Sequence, residues 1–124
     1  MIKKHYEYNA SVGEVWKALV DPKVIEQWGG GPAVMDAQAG TEFSLWGGDV
    51  YGKNVEVIPE KRLVQDWYGG DWDKPSKATF ELAEIDGKTI LDFSQTDVPE
   101  DEVDDIDAGW DDYYFGPMQD LLEK

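Results

Sequence analysis

The chain has 124 residues with 41% apolar side chains, six Trp, six Tyr, four Phe and no Cys. That is enough apolar material for one core, and the missing cysteines exclude disulfides, thiolate chemistry and Cys-based zinc sites. The net charge of −16 argues against nucleic acid and anionic membranes, whose phosphates it would repel.

Residues 2–9 begin with alternation, Ile2, Tyr6 and Tyr8 sharing one parity and His5 the other, which predicts a strand. Ser11-Val12-Gly13-Glu14 fits a capping box: the Ser11 hydroxyl takes an orphan amide and Glu14 reaches back. Val12, Val15, Trp16 and Leu19 follow at helical spacing. Asp21-Pro22 opens a second short helix with an acidic cap and proline at the first helical position. Gly29-Gly30-Gly31-Pro32 stops it; with no Lys-Ser/Thr behind it, the run is a helix stop rather than a phosphate loop.

The middle of the chain predicts strands near 33–37, 41–46, 49–58, 61–68, 76–85 and 88–96. Trp46-Gly47-Gly48-Asp49 and Ile58-Pro59-Glu60-Lys61 read as tight turns, and Asp86-Gly87 is a strong hairpin signal. Short strands on tight turns imply an antiparallel meander, with 69–75 as its longest connection. From Pro99 the pattern turns helical, with Ile106, Trp110, Tyr113, Tyr114, Leu121 and Leu122 near one side. Pro117 falls inside this helix and is expected to kink or break it near Phe115-Gly116. No stretch reaches the length of a membrane span, and no apolar leader precedes the first strand, so the expected location is the cytoplasm.

Strand, two short helices, about six strands and a long helix is the order of a helix-grip domain. At this point the residues resemble a family. Residues 11–19, Asp21-Pro22, Trp28 and Ala39-Gly40-Thr41-Glu42-Phe43 are similar to the START-related homologues of the activator of the heat-shock protein 90 ATPase. Residues 55–64 ending at Trp67, and 78–82, continue the likeness. Gly109-Trp110 with Tyr113-Tyr114-Phe115 is similar to the C-terminal domain of the eukaryotic activators. The resemblance implies one α+β START-like domain over 1–124, with a curved antiparallel sheet of six to seven strands around the last helix. It also implies a cavity between them, which binds lipids, hormones and polyketides in the wider superfamily and hosts catalysis in some members. In the eukaryotic activators a separate N-terminal domain, which also engages the chaperone, precedes this one.

The aromatic residues are the candidate ligand pocket. Trp110 and Tyr114 are four apart and share a helix face, with Tyr113 beside them. Phe43, Trp67 and Phe80 are expected to point inward from three strands. Close packing by the same rings is the alternative. Residues 89–124 hold twelve acidic side chains against Lys124 alone. Asp104, Asp105, Asp107, Asp111 and Asp112 form the candidate surface for a partner such as the heat-shock protein 90 chaperone; a solvated face is the plainer reading.

No cofactor, metal or catalytic residue is expected. His5 stands alone without a nucleophile elbow, and the acidic run lacks the central glycine of a calcium loop. Glu56, Asp66 and Asp92 lie in strands and, on the outer parity, are solvated rather than poised as acids. The expected role is binding of an apolar small molecule without catalysis. The alternatives are a chaperone-cofactor surface and, less favoured, a cyclase or hydrolase.

Overall fold

A computed structural model describes residues 1–124. The elements are β1 Ile2–Tyr8, α1 Val12–Val20, α2 Pro22–Trp28, β2 Glu42–Leu45, β3 Val50–Ile58, β4 Arg62–Tyr68, β5 Ser76–Ile85 and β6 Lys88–Thr96. They end in a helical run: α3 Val103–Gly109, a π turn Trp110–Phe115 and α4 Gly116–Leu122. All six strands form one antiparallel sheet, ordered β1-β6-β5-β4-β3-β2. The fold is α+β of the START-like, helix-grip kind, with the C-terminal helix on the buried face of the curved sheet.

Local chemistry sets the ends of the helices. The Ser11 hydroxyl accepts from the Glu14 amide and the Glu14 carboxylate accepts from the Ser11 amide, closing the capping box. Asp21 accepts from the Lys23 amide at 2.9 Å, with Pro22 behind it. Gly29, at φ 104°, ends α2 in the left-handed region that glycine enters without a Cβ penalty. Asp86 and Gly87, at φ 53° and 79°, turn the β5–β6 hairpin as the Asp-Gly pair predicts.

The strand predicted over 33–37 does not form. Only an isolated bridge forms there, Val34 to Ser44. Pro32 offers no amide for a ladder, and Asp36 turns the chain by accepting from the Gln38 amide and the Thr41 hydroxyl.

The sheet's inner face follows strand parity. Ile2 and Tyr8, Phe43 and Leu45, Leu63 and Trp67, Ala78 and Phe80, and Leu91 and Phe93 are all buried there. The helical run closes over them with Trp110, Tyr114, Phe115 and Met118. A few polar groups join the layers. Trp110 Nε1 donates to Gln95 Oε1 at 2.7 Å, and Gln95 Nε2 donates to Ser76 Oγ at 2.7 Å. Tyr8 donates to the Phe115 carbonyl at 3.1 Å, fastening the helix to the edge strand. These buried polar groups are thereby paired where water cannot reach them.

Pro117 neither breaks the helical run nor ends it. Backbone angles stay right-handed from Trp110 through Gly116. The six-residue turn before the proline widens to the π form, and the Gly116 amide bonds the Asp111 carbonyl five residues back. The wider turn accommodates a residue that has no N–H to give.

Candidate functional site

Beneath the helix the space is filled. Phe80 lies 4.9 Å from Phe93, 5.9 Å from Trp110 and 6.0 Å from Tyr114 between ring centroids. Phe93 and Trp110 are 4.3 Å apart. These rings are a close-packed core.

A largely apolar open groove lies at one end of the grip. This groove of about 360 Å³ is walled by Trp46 and Asp49 from the β2–β3 turn, Val50 at the start of β3, Trp67 from β4, and Asp105, Ile106, Gly109, Trp110, Tyr113 and Tyr114 from the helical run. Four of the six expected pocket residues therefore meet here: Trp67, Trp110, Tyr113 and Tyr114. The other two do not. Phe80 is sealed in the core, and Phe43 faces a separate, more polar hollow with Tyr51, Lys53 and Asp66.

Sequence reasoning missed Trp46, Asp49 and Val50, although the Trp-Gly-Gly-Asp turn was in view. The signal was an aromatic residue inside a glycine turn. Trp46 takes φ 50°, a left-handed backbone unusual for a bulky side chain. Surrounding contacts hold it there. Its Nε1 donates to the Gly29 carbonyl and its amide to the Gly30 carbonyl, each at 2.8 Å. Its ring meets Trp28 edge-on at 6.2 Å and Tyr114 at 6.3 Å. Backbone strain held by its surroundings is a recurring mark of functional sites.

Two further features set the chemistry of the wall. Trp67 Nε1 is the only buried side-chain nitrogen or oxygen without a hydrogen-bond partner. Burial alone raises the pKa of Tyr114, so its hydroxyl stays protonated. Tyr113, 67% exposed, stands at the rim.

The five candidate aspartates divide. Asp104, Asp105 and Asp112 are exposed. Asp107 and Asp111 are bonded within the fold: Lys4, on the inner parity of β1, pairs with both, and Tyr6 donates to Asp111. Burial disfavours charge on Lys4, but the two carboxylates outweigh it and hold its pKa above the ordinary value. Burial likewise opposes the Asp111 carboxylate, and the bonds from Lys4 and Tyr6 outweigh it, holding its pKa below the ordinary value.

The remaining titratable candidates face away from the groove. His5 is exposed and pairs with Asp92 at 2.6 Å. Glu56 pairs with Arg62 at 3.1 Å. Asp66 is half-buried and lines the polar hollow beside Phe43. No three His, Cys, Asp or Glu side chains are gathered as a metal site, and no helix is long and apolar enough to cross a membrane.

The family model described as Activator of Hsp90 ATPase homolog 1-like protein matches residues 9–123. The chain is 28% identical over 120 residues to an uncharacterized protein of Schizosaccharomyces pombe, covering 95% of this chain and 36% of that one. It is 29% identical over 104 residues to the Activator of 90 kDa heat shock protein ATPase homolog 1 of Homo sapiens, covering 82% of this chain and 31% of that one. It thus spans 36% and 31% of the length of these curated relatives. Among solved structures, an HSP90 activator from Plasmodium falciparum superposes with a TM-score of 0.91 at 20% identity, over 98% of this chain and 95% of that one.

Proposed function

The chain belongs to the Activator of Hsp90 ATPase homolog 1-like family, and on that premise we propose that it is a non-enzymatic binding domain that holds a small, largely apolar molecule in the groove between the β2–β3 turn and the helical run. One observation carries this reading. The groove of about 360 Å³ has seven apolar residues among its ten and a few polar groups at its edge. That volume falls within the range of small-molecule sites. The filled core beneath supports the end of the grip, against Trp46, Trp67 and Trp110, as the seat of the ligand on this reading.

The indole N–H signals of these three residues give the test. Titrating a panel of neutral and charged apolar compounds into ¹⁵N-labelled protein should shift the Trp46 and Trp67 signals in a saturable way. The exposed rim substitution Tyr113→Ala should weaken that response about three- to tenfold while leaving the melting temperature within about 2 °C. A panel that moves none of the three signals would end the reading.

A second reading has its own support. The human relative is named as an activator of the 90 kDa heat shock protein ATPase, and the groove is lined by Tyr113 and Asp105, whose chain neighbours Asp112 and Asp104 are exposed. On this reading the same face docks on a chaperone of the heat-shock protein 90 class through complementary charge. Calorimetric titration against that chaperone in low salt is the deciding measurement, because charge-driven contacts are strongest there. No heat and no complex under those conditions would remove it.

A further inference from the structure

We propose that the groove selects a small organic cation with an aromatic or compact aliphatic body, and that Asp49 and Asp105 read its charge. This rests on the groove being a ligand site, as proposed above, and goes beyond it by assigning the sign of the ligand.

The composition of the wall carries the inference. Five of its ten residues are aromatic: Trp46, Trp67, Trp110, Tyr113 and Tyr114. Its only ionisable acids are Asp49 and Asp105, and it contains no Lys, Arg or His. Both carboxylates are exposed. Neither takes part in the chain's ion pairs, which engage Asp92, Asp107, Asp111, Glu56 and Glu81 instead. An aromatic wall attracts a cation through the electron-rich ring faces, Trp most strongly. Two unpaired carboxylates at the same opening add to that attraction. A carboxylate ligand such as a fatty acid would meet these charges with no compensating base.

Size and shape narrow the class. A groove of about 360 Å³ lies near the lower end of ligand pockets. Trp110, which lines it, is packed in turn against Phe80 and Phe93 of the core. A short, compact body lying across the opening fits this shape, whereas a long acyl chain threading the core does not.

Three matched probes at pH 7 test the proposal: 1-naphthylmethylamine, 1-naphthylmethanol and 1-naphthoate. They share a ring system and carry a positive, no and a negative charge. Binding is read from the indole signals of Trp46, Trp67 and Trp110. The amine should bind about tenfold more tightly than the alcohol, with the advantage shrinking in 0.5 M salt (a Debye length of about 4 Å). The naphthoate should bind most weakly. The double substitution Asp49→Asn and Asp105→Asn should lower affinity for the amine about three- to tenfold and leave the alcohol unchanged. Both positions are exposed, and an unaltered melting temperature checks that the fold is kept.

Equal affinity for amine and alcohol would overturn the charge selection while the ligand site stands. Silence from all three probes would overturn the ligand site as well. Binding of a lysine-containing peptide without binding of the amine would also overturn the proposal, by assigning the groove to a protein partner.

Discussion

At the scale of the residue, Trp110 joins the helix to the sheet. Its indole donates to Gln95, which donates in turn to Ser76, and all three side chains are buried. Trp110→Phe keeps a ring but leaves the Gln95 oxygen without its donor. An unsatisfied buried acceptor costs about 1–3 kcal/mol, and the smaller ring adds a void. Chemical denaturation should show a loss of about 2–4 kcal/mol; a loss below about 0.5 kcal/mol would mean that the bond contributes little. Lys4 works differently because its partners Asp107 and Asp111 are about half exposed. Removing it in Lys4→Met should cost only about 1 kcal/mol. The sign of its pH dependence follows from the two shifts. The Asp111 pKa is held below the ordinary carboxylate value of 3.8, so its contribution is present above that value and is lost as pH falls through the lower folded value. The Lys4 pKa is held above 10.5, so its contribution is present below that value and is lost as pH rises through the higher folded value. The stability gap between the parent chain and Lys4→Met should therefore be flat from about pH 5 to 9 and narrow below about pH 4. A gap that widens in acid would contradict this assignment.

At the scale of the element, the π turn is the least ordinary part of the chain. Gly116 sits where a Cβ would come within 2.5 Å of the Asp111 carbonyl oxygen, the same oxygen its own amide bonds. In an ordinary helix interior, Gly→Ala stabilises by about 1 kcal/mol. Here the added methyl meets rigid backbone, so Gly116→Ala should destabilise by about 1–3 kcal/mol. A gain in stability would mean that the turn relaxes to regular α-helix without cost. The π turn runs from Trp110 to Phe115 and so carries the groove residues Trp110, Tyr113 and Tyr114. Altering its pitch should also alter the Trp110 indole signal, which the same samples report.

For the whole molecule, net charge acts as a global electrostatic term. A net −16 on 124 residues makes the compact state repel itself. Raising NaCl from about 20 mM to 0.5 M shortens the Debye length from about 20 Å to about 4 Å. The melting temperature should rise by several degrees over that range, although the Lys4 ion pairs weaken. A fall would show that local pairs outweigh the global repulsion. The same asymmetry gives the groove its electrostatic sign, because the helical run that forms one wall comes from the most acidic third of the chain.

Much of this was legible from local pattern. The capping box at Ser11, the Asp21-Pro22 start, the Asp86-Gly87 hairpin and the inward parity of Phe43, Trp67 and Phe80 are properties of neighbouring residues. Backbone geometry makes such signals nearly self-sufficient: a cap or a turn is satisfied by atoms a few residues away, and parity follows from the pleat. The order of elements was likewise written in the chain, and the grip followed from the resemblance to the family rather than from any local pattern. The tertiary structure alone decided three other points. It left 33–37 as a single bridge, because Asp36 and Pro32 favour a turn over a ladder. It carried the helix past Pro117 on a π turn, because packing against Tyr8 and Phe80 holds Phe115 in place. It also moved the open space from the middle of the grip to its end, where Trp46 and Asp49 meet Trp67 and Tyr113. A cavity is what remains after distant rings have packed, and its position depends on volumes summed across the whole core rather than on any run of sequence.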